Sequence, residues 1–395
     1  MGAPQGRLSE LGEKLIDLGW DVETLTALPN YPTGHIFNGY SRWRTKVESV
    51  GRIRTARVPL YPAKRGFLRR LISYFSFSAS AALNGKRLLR RPDVMLVESP
   101  PLFIGYAARF LTWQWKCPYV FNVSDLYPET AVRMGMLKDG TALRMAERLE
   151  RSLYHHAAGV TGQSDEIVAG VLKQVPDKAT AVITNGVDLN RFGKNKADDD
   201  SRKLLGDEPG PVFVYAGLMG LAQGLNQLLD LALSLPDDVP GRLVLVGEGP
   251  AREQLRARLA ATPNPRVRIL DPLPYDRIPP LLASADVAVI SLGMQIPGAV
   301  PSKIYEAMAS GLPILLLAEG EPARRVENAA CGITVKPGDL KGTLKAYQRL
   351  ATDAELRRML GESGRQTAAA QYDRRLIAAR LDKFLRTCVD DGVHA

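Results

Sequence analysis

Short apolar runs alternate with stretches of helical periodicity along the chain. The runs fall at residues 22–28, 94–97, 119–123, 160–161 and 181–184. After a polar stretch they resume at 212–216, 243–246, 267–270, 287–291, 314–317 and 333–335. Between them lie segments with the 3.6-residue period. Leu8, Leu11, Leu15 and Leu18 fall on one helical face, and Gly19 ends that helix. Regular alternation of strand and helix predicts a parallel sheet covered on both faces. Two such series predict two doubly wound α/β domains. The expected boundaries are 1–192, a linker at 193–210, a second domain at 211–372, and a terminal helix at 373–395 that returns to the first domain. In this class the ligand sits at the carboxyl ends of the strands. With two facing domains, the expected crevice is the cleft between them.

Residues 1–7 lead straight into a helix, with no strand before it. The first strand of a doubly wound domain is central. Without it, its neighbours would lack a hydrogen-bonding partner. The first domain is therefore expected to be missing its first strand.

Composition changes this picture little. The 395 residues are 45% hydrophobic and 24% charged, ordinary values for a globular chain long enough for two cores. Cys117, Cys331 and Cys388 are far apart and odd in number, which fits a reducing cytosol and no disulfide framework. Four histidines and no ligand spacing give no reason to expect a metal, and no cofactor is expected. No apolar run reaches the roughly 18 residues of a spanning helix.

Charge is more informative. The net charge of +10 concentrates between Ser41 and Arg91, where 14 Lys or Arg face one acid, Glu48. Aromatic and aliphatic residues interleave with them. Phe67, Arg69, Arg70, Phe75, Lys86 and Arg87 are candidates for contact with an anionic membrane surface. A plain solvated basic face is the alternative. No nucleic-acid motif lies nearby, so a membrane ranks above nucleic acid as a partner.

Candidate chemistry centres on residues 298–313. A glycine- and proline-bearing loop enters a helix whose first turns carry Ser302, Lys303 and Glu306. Gly311-Leu312-Pro313 ends that helix. A helix N-terminus offers free N–H groups and partial positive charge, which suits phosphate. Lys303 adds a full charge, and Glu306 could accept from a sugar hydroxyl pair. A capped helix with a solvated lysine is the plainer reading. Upstream, Gly217, Gly220 and Gln223 lie in a turn after a strand, where backbone could approach a diphosphate. Gly247-Glu248-Gly249-Pro250 ends the next strand, and Asp271-Pro272-Leu273-Pro274 a later one.

The segment 298–313 resembles the donor-nucleotide motif of retaining glycosyltransferase family 4, enzymes of the GT-B fold. The resemblance implies that Glu306 holds the ribose of a nucleotide-sugar. The second glutamate usual in that family falls at Gly298 here. The 217–223 turn is similar to the family's glycine turn, with Leu221 and Gln223 near positions where its members often carry Arg and Lys; Lys303 would supply the missing cation. Glu248 and Leu273 would lie near the base. Gly2-Ala3-Pro4 looks like the tail of the family's first glycine loop, which implies that Met1 is an internal methionine and that roughly 10–20 residues precede it. Gly2 would then approach the donor phosphate.

Asp125-Leu126-Tyr127-Pro128-Glu129 resembles a run found in the WbuB-type N-acetylfucosaminyl transferases of bacterial surface polysaccharide synthesis. Asn30-Tyr31-Pro32-Thr33-Gly34 and Glu98-Ser99-Pro100-Pro101 match the same subgroup. Asp125, Tyr127 and Glu129 would lie on the acceptor side, with Asp125 orienting the acceptor hydroxyl. The whole implies a retaining, metal-independent transferase, cytoplasmic and peripheral at the inner face of the plasma membrane. It would move a sugar from a nucleotide-sugar, with UDP the expected carrier and an N-acetylated deoxyhexosamine one candidate. The acceptor would be polyprenyl-diphosphate-linked. The alternatives are a GT-B sugar-nucleotide 2-epimerase and a non-catalytic assembly partner.

Overall fold

A computed structural model describes residues 3–30, 33–63, 66–133, 135, 137–206 and 208–393. The expectation at Gly2 lies outside the described residues. So do Tyr31 and Pro32 of the early loop and the side chain of Phe67. The chain forms two compact units. Unit 1 comprises Met1–Thr184, Pro297–Ala299 and Arg375–Ala395, and unit 2 comprises Asn185–Ile296 and Val300–Arg374.

Unit 1 holds two sheets. The first contains β1 (Glu23–Ala27), β2 (Lys46–Val50) and β3 (Ile53–Val58), in the order β1-β3-β2. β1 pairs with β3 in parallel, and β2 forms an antiparallel hairpin with it. The apolar pattern did not point to β2 and β3, because arginine and lysine interrupt both. Ile53, Ala56 and Val58 are buried, while Arg54 pairs with Glu23 at 3.0 Å and Arg57 pairs with Glu48. This part of the basic segment is therefore an ion-paired sheet.

The second sheet is parallel, in the order β4 (Met95–Ser99), β5 (Tyr119–Val123), β6 (Gly159–Gly162) and β7 (Thr180–Val182). β5 is buried along its whole length, as expected for an inner parallel strand. Among the described residues no ladder joins the two sheets. The helix Arg374–Val393 lays Ile377, Leu381 and Leu385 against Leu11, Leu15, Val120 and Ile183. Its i, i+4, i+8 spacing makes that stripe. Leu18, expected on the buried face, is 39% exposed because the helix Ala3–Asp17 has ended before it.

Unit 2 is one parallel sheet. Its strands are β8 (Val212–Ala216), β9 (Arg242–Val246), β10 (Val267–Leu270), β11 (Val287–Ser291), β12 (Ile314–Leu317) and β13 (Gly332–Val335). Their order is β10-β9-β8-β11-β12-β13. Two apolar layers cover the sheet faces, one around Val214, Ile290 and Leu316 and the other around Phe213, Val289 and Leu315. The strand direction of travel reverses between β8 and β11, so their carboxyl ends form the switch point where such sheets bind ligands. The stretch 193–210, expected as a linker, carries the helix Asp199–Leu205. Asp198 caps it by accepting from the Ser201 N–H at 2.7 Å, and Leu205 enters the unit 2 core.

Candidate active site

The loops that leave β8 and β9 interlock. The Gly217 N–H donates to Val246 O at 2.9 Å, Met219 N–H to Glu248 O at 2.8 Å, and Ala251 N–H to Met219 O at 3.0 Å. A Cβ on Gly247 would lie 1.8 Å from Gly217 O, and Gly247 has φ +151°. Only glycine fits such an approach. Glu248 thus contributes a backbone carbonyl to the turn, while its side chain is exposed. Leu273 packs, partly buried, against the core beside it.

The next turn carries Gly220 and Gln223. The Gln223 Oε1 atom is buried without a partner, 2.4 Å from where a Gly220 Cβ would stand. Gln223 O accepts from Ser291 Oγ at 2.6 Å, which ties this turn to the end of β11. The two sides of the switch point are therefore joined by polar contacts as well as by the β8–β11 ladder.

Beyond β11 the helix Ser302–Ala309 begins at Pro301 without a side-chain cap. Ile304, Tyr305 and Met308 are buried and fix its orientation. Ser302 Oγ donates to Glu306 Oε1 at 3.2 Å. Lys303 Nζ donates to Tyr215 Oη at 2.7 Å and lies 3.9 Å from the centroid of that ring. A Cβ on Gly217 would come within 2.4 Å of Lys303 Cε, so the lysine runs directly under the glycine turn. Burial pushes the Lys303 amine down to about 8, against the opposing pull of Glu306. Burial pushes the Glu306 carboxyl up, against the Ser302 hydrogen bond and the charges of Lys303, Arg374 and Arg191. The structure thus brings Gly217, Gly220, Gln223, Ser302, Lys303 and Glu306 to one end of one sheet. Tyr215, Arg191 and Arg374 join them and were not singled out from the sequence. Tyr215 had one signal, its position two residues before the glycine turn.

In unit 1 the Asp125–Glu129 run divides. Asp125 is half-buried; desolvation, then the nearby Glu98, push its carboxyl up, while Arg7 opposes them. Tyr127 packs against the core, and burial raises its phenol. Glu129 opens the short helix Glu129–Arg133, where it is exposed and pairs with Arg133 at 2.9 Å. Gly298, where a second glutamate would stand, has φ +71°. A Cβ there would meet Ile167 Cγ1 at 2.5 Å, and its N–H donates to Glu166 Oε2 at 3.0 Å. The position has room for no side chain.

On the helix Phe67–Leu88, Arg69, Arg70, Lys86 and Arg87 are exposed. Phe75 is exposed and contacts Phe103, with ring centroids 4.1 Å apart. The adjacent helix Ile104–Trp115 adds exposed Tyr106, Phe110 and Trp113. No described helix is long and apolar enough to cross a membrane. Among the described residues no group of three or more His, Cys, Asp or Glu is arranged to hold a metal.

Residues 2–186 match the family profile of the glycosyl transferase 4-like domain, and residues 196–367 that of glycosyl transferases group 1. The chain is 28% identical over 322 residues to the WcaI glycosyl transferase of Escherichia coli, named for colanic acid biosynthesis; the match covers 78% of each chain. In fold it resembles sucrose-phosphate synthase of Thermosynechococcus elongatus, with a TM-score of 0.76 at 20% identity over 98% of this chain and 93% of that one. It also resembles Anabaena HepE in complex with UDP, with a TM-score of 0.64 at 19% identity over 82% and 84%.

Proposed function

This chain belongs to the group 1, family 4-like glycosyltransferases, and on that premise we propose that it moves a sugar from a UDP-sugar to a lipid-linked saccharide in bacterial surface polysaccharide synthesis. The observation that carries this reading is the pairing of Lys303 and Glu306 on the first turns of one helix, beside the interlocked glycine turns of β8 and β9. Backbone N–H groups and one cation suit a diphosphate, and a carboxylate one turn deeper suits the ribose hydroxyls. WcaI carries a name from polysaccharide synthesis, and HepE was solved with UDP, which supports the choice of pathway and nucleotide.

The reaction we propose retains configuration and needs no metal. The bond from the anomeric carbon to the diphosphate oxygen breaks as the acceptor oxygen bonds to the same face. The acceptor proton passes to the departing diphosphate. The protein then needs no nucleophile; it needs stabilisation of the leaving group by Lys303 and the N–H groups. An N-acetylated deoxyhexosamine is the sugar we would try first, and a polyprenyl diphosphate the lipid. The exposed apolar and basic residues of helices Phe67–Leu88 and Ile104–Trp115 suit a peripheral position at the cytoplasmic membrane face.

The test is a screen of UDP-, GDP- and dTDP-sugars with the 395-residue protein, first by calorimetry and then with a polyprenyl-diphosphate-sugar acceptor. Binding of UDP and transfer from a UDP-sugar are the expected results. Sugar epimerisation without acceptor would point to the 2-epimerase instead, and absence of nucleotide binding would leave the assembly partner.

A further inference from the structure

Tyr215 lies near the end of β8, and none of its surface reaches solvent. Its ring belongs to the apolar layer of Phe213, Val289 and Leu315. A phenylalanine would fill that layer as well, without the cost of burying a hydroxyl. The hydroxyl therefore needs a reason, and its partners supply one. Its proton goes to Leu218 O at 2.5 Å, in the turn that follows the strand. That fixes the rotor, so the lone pairs face the Lys303 amine, which donates to them at 2.7 Å. Burial pushes the Tyr215 phenol up, so it meets the lysine as a neutral hydroxyl and not as a phenolate.

The strand and its turn enclose this amine from several sides. The Tyr215 ring centroid is 3.9 Å from Lys303 Nζ. A Cβ on Gly217 would lie 2.4 Å from Lys303 Cε and 2.7 Å from Nζ, so the absence of a side chain at 217 makes the room in which the lysine lies. The remaining charged group at the amine is Glu306, on its own helix; Arg191 and Arg374 act on that carboxylate in turn. A hydroxyl that served only to close the turn would need Leu218 O alone. It would not need a lysine from another helix drawn beneath the glycine.

We propose that Tyr215 is a positioning residue for the diphosphate: its ring and hydroxyl hold the Lys303 amine in one place beneath the turn that begins at Gly217. This role rests on the nucleotide-sugar reading of the site and adds to it the group that places its cation. Tyr215 acts through Lys303 rather than on the substrate. Accepting a hydrogen bond from the charged amine also favours that form, against the burial that disfavours it.

The experiment uses the full chain as wild type, Tyr215→Phe and Lys303→Met. Tyrosine labelled with carbon-13 at Cζ reads the pair by NMR with no nucleotide present. Calorimetry reads uridine and UDP across the pH range, and melting curves report folding. In the wild type one tyrosine signal should move with a midpoint near about 8, and in Lys303→Met none should. In Tyr215→Phe, UDP affinity should fall about tenfold, the size of one hydrogen bond to a charged group, with uridine affinity unchanged. The decline of UDP affinity with rising pH should also begin about one pH unit lower than in the wild type. A tyrosine that only packs the strand would weaken uridine and UDP alike and leave the pH profile in place, and that result overturns the proposal. So does a wild type in which no tyrosine signal follows such a midpoint, or one whose moving signal persists in Lys303→Met. If Tyr215→Phe does not fold, the comparison of wild type with Lys303→Met still decides. Failure of UDP to bind the wild type would count against the proposed function, while the tyrosine signal would still read the pair.

Discussion

Lys303 donates to the Tyr215 hydroxyl at 2.7 Å, and that hydroxyl donates onward to Leu218 O at 2.5 Å. The candidate diphosphate cation is thus tied to the strand and turn expected to carry the diphosphate. Its ammonium also rests 3.9 Å from the ring centroid, an arrangement worth about 0.5–2 kcal/mol. The lysine is pre-oriented, but it is held in surroundings that favour its neutral form.

That balance makes nucleotide binding pH-dependent. The free protein holds Lys303 at about 8. A bound diphosphate favours the charged amine, so binding takes up a proton at and above that pH. UDP affinity should be flat below about pH 7 and fall as pH rises through 8, approaching tenfold per unit. Calorimetry at pH 7, 8 and 9 reads this, and Lys303→Met should flatten the profile. The sign for stability is opposite. A lysine with a lowered folded-state pKa is a penalty at pH 7 that is relieved as pH rises past 8. Lys303→Met should therefore melt higher at pH 7, by on the order of 2 kcal/mol in stability, while binding UDP more weakly.

Glu306 should show the same division between stability and binding. Burial raises its pKa, so its ionised form weakens the fold near neutral pH and is relieved on acidification. Glu306→Gln should be at least as stable as wild type at pH 7. It should nonetheless lose about 1.5–3 kcal/mol of UDP affinity if the carboxylate grips the ribose hydroxyls. Unchanged affinity in a folded Glu306→Gln protein would remove the ribose assignment.

The sequence made some parts of this site legible and concealed others. The strands of unit 2 are continuous apolar runs, so their existence and the turns after them could be read directly. The hairpin β2–β3 was hidden because charged residues interrupt it: Lys46 and Arg57 pair with Glu48 inside the hairpin, and Arg54 pairs with Glu23 on β1. Ion pairing across a fold leaves no periodicity. The same holds for Tyr215, Arg191 and Arg374, which reach Lys303 or Glu306 only through tertiary structure. Gly298 illustrates the reverse case. The resemblance put a glutamate at that position, and the positive φ and the nearby Ile167 show a steric demand for glycine.

The glycine interlock gives a prediction about folding. A methyl at position 247 would collide with Gly217 O, which is backbone and has no rotamer to escape into. Gly247→Ala should destabilise unit 2 by at least about 1–3 kcal/mol through forced backbone strain. Gly220→Ala meets side chains alone, Gln223 closely and Leu218 at 3.7 Å, so it should be milder in melting temperature and act more on UDP affinity. Equal melting temperatures for the two variants would show that the turns are not interlocked in solution.

The lipid surface can be tested by separating its apolar and basic parts. Leu68 and Ile72 on one helix and Trp113 on the next are exposed, and replacing them with serine should leave the melting temperature nearly unchanged. Partition onto anionic vesicles should fall in that variant. In the wild type it should fall with salt, because exposed charges are screened beyond about 8 Å at physiological ionic strength. Equal partition to neutral and anionic vesicles would remove the role given to Arg69, Arg70, Lys86 and Arg87.

Glu150 offers a control on unit 1 that is independent of any ligand. It is buried, accepts from Tyr154 Oη at 2.6 Å and from Gln174 Nε2 at 2.6 Å, and has no cation among its hydrogen-bond donors. Desolvation lifts its carboxyl to about 7, despite those two donors. A carboxyl raised in the folded state binds its proton more tightly there than in the unfolded chain. Its contribution to stability is full below about pH 4.5 and is lost as pH rises through 7. Glu150→Gln keeps the shape and most of the hydrogen bonding without the buried charge. It should match wild type near pH 5 and exceed it at pH 8 by roughly 2–3 kcal/mol, read as a melting difference that opens between those pH values. A difference that is constant with pH would mean that Glu150 does not titrate in this range.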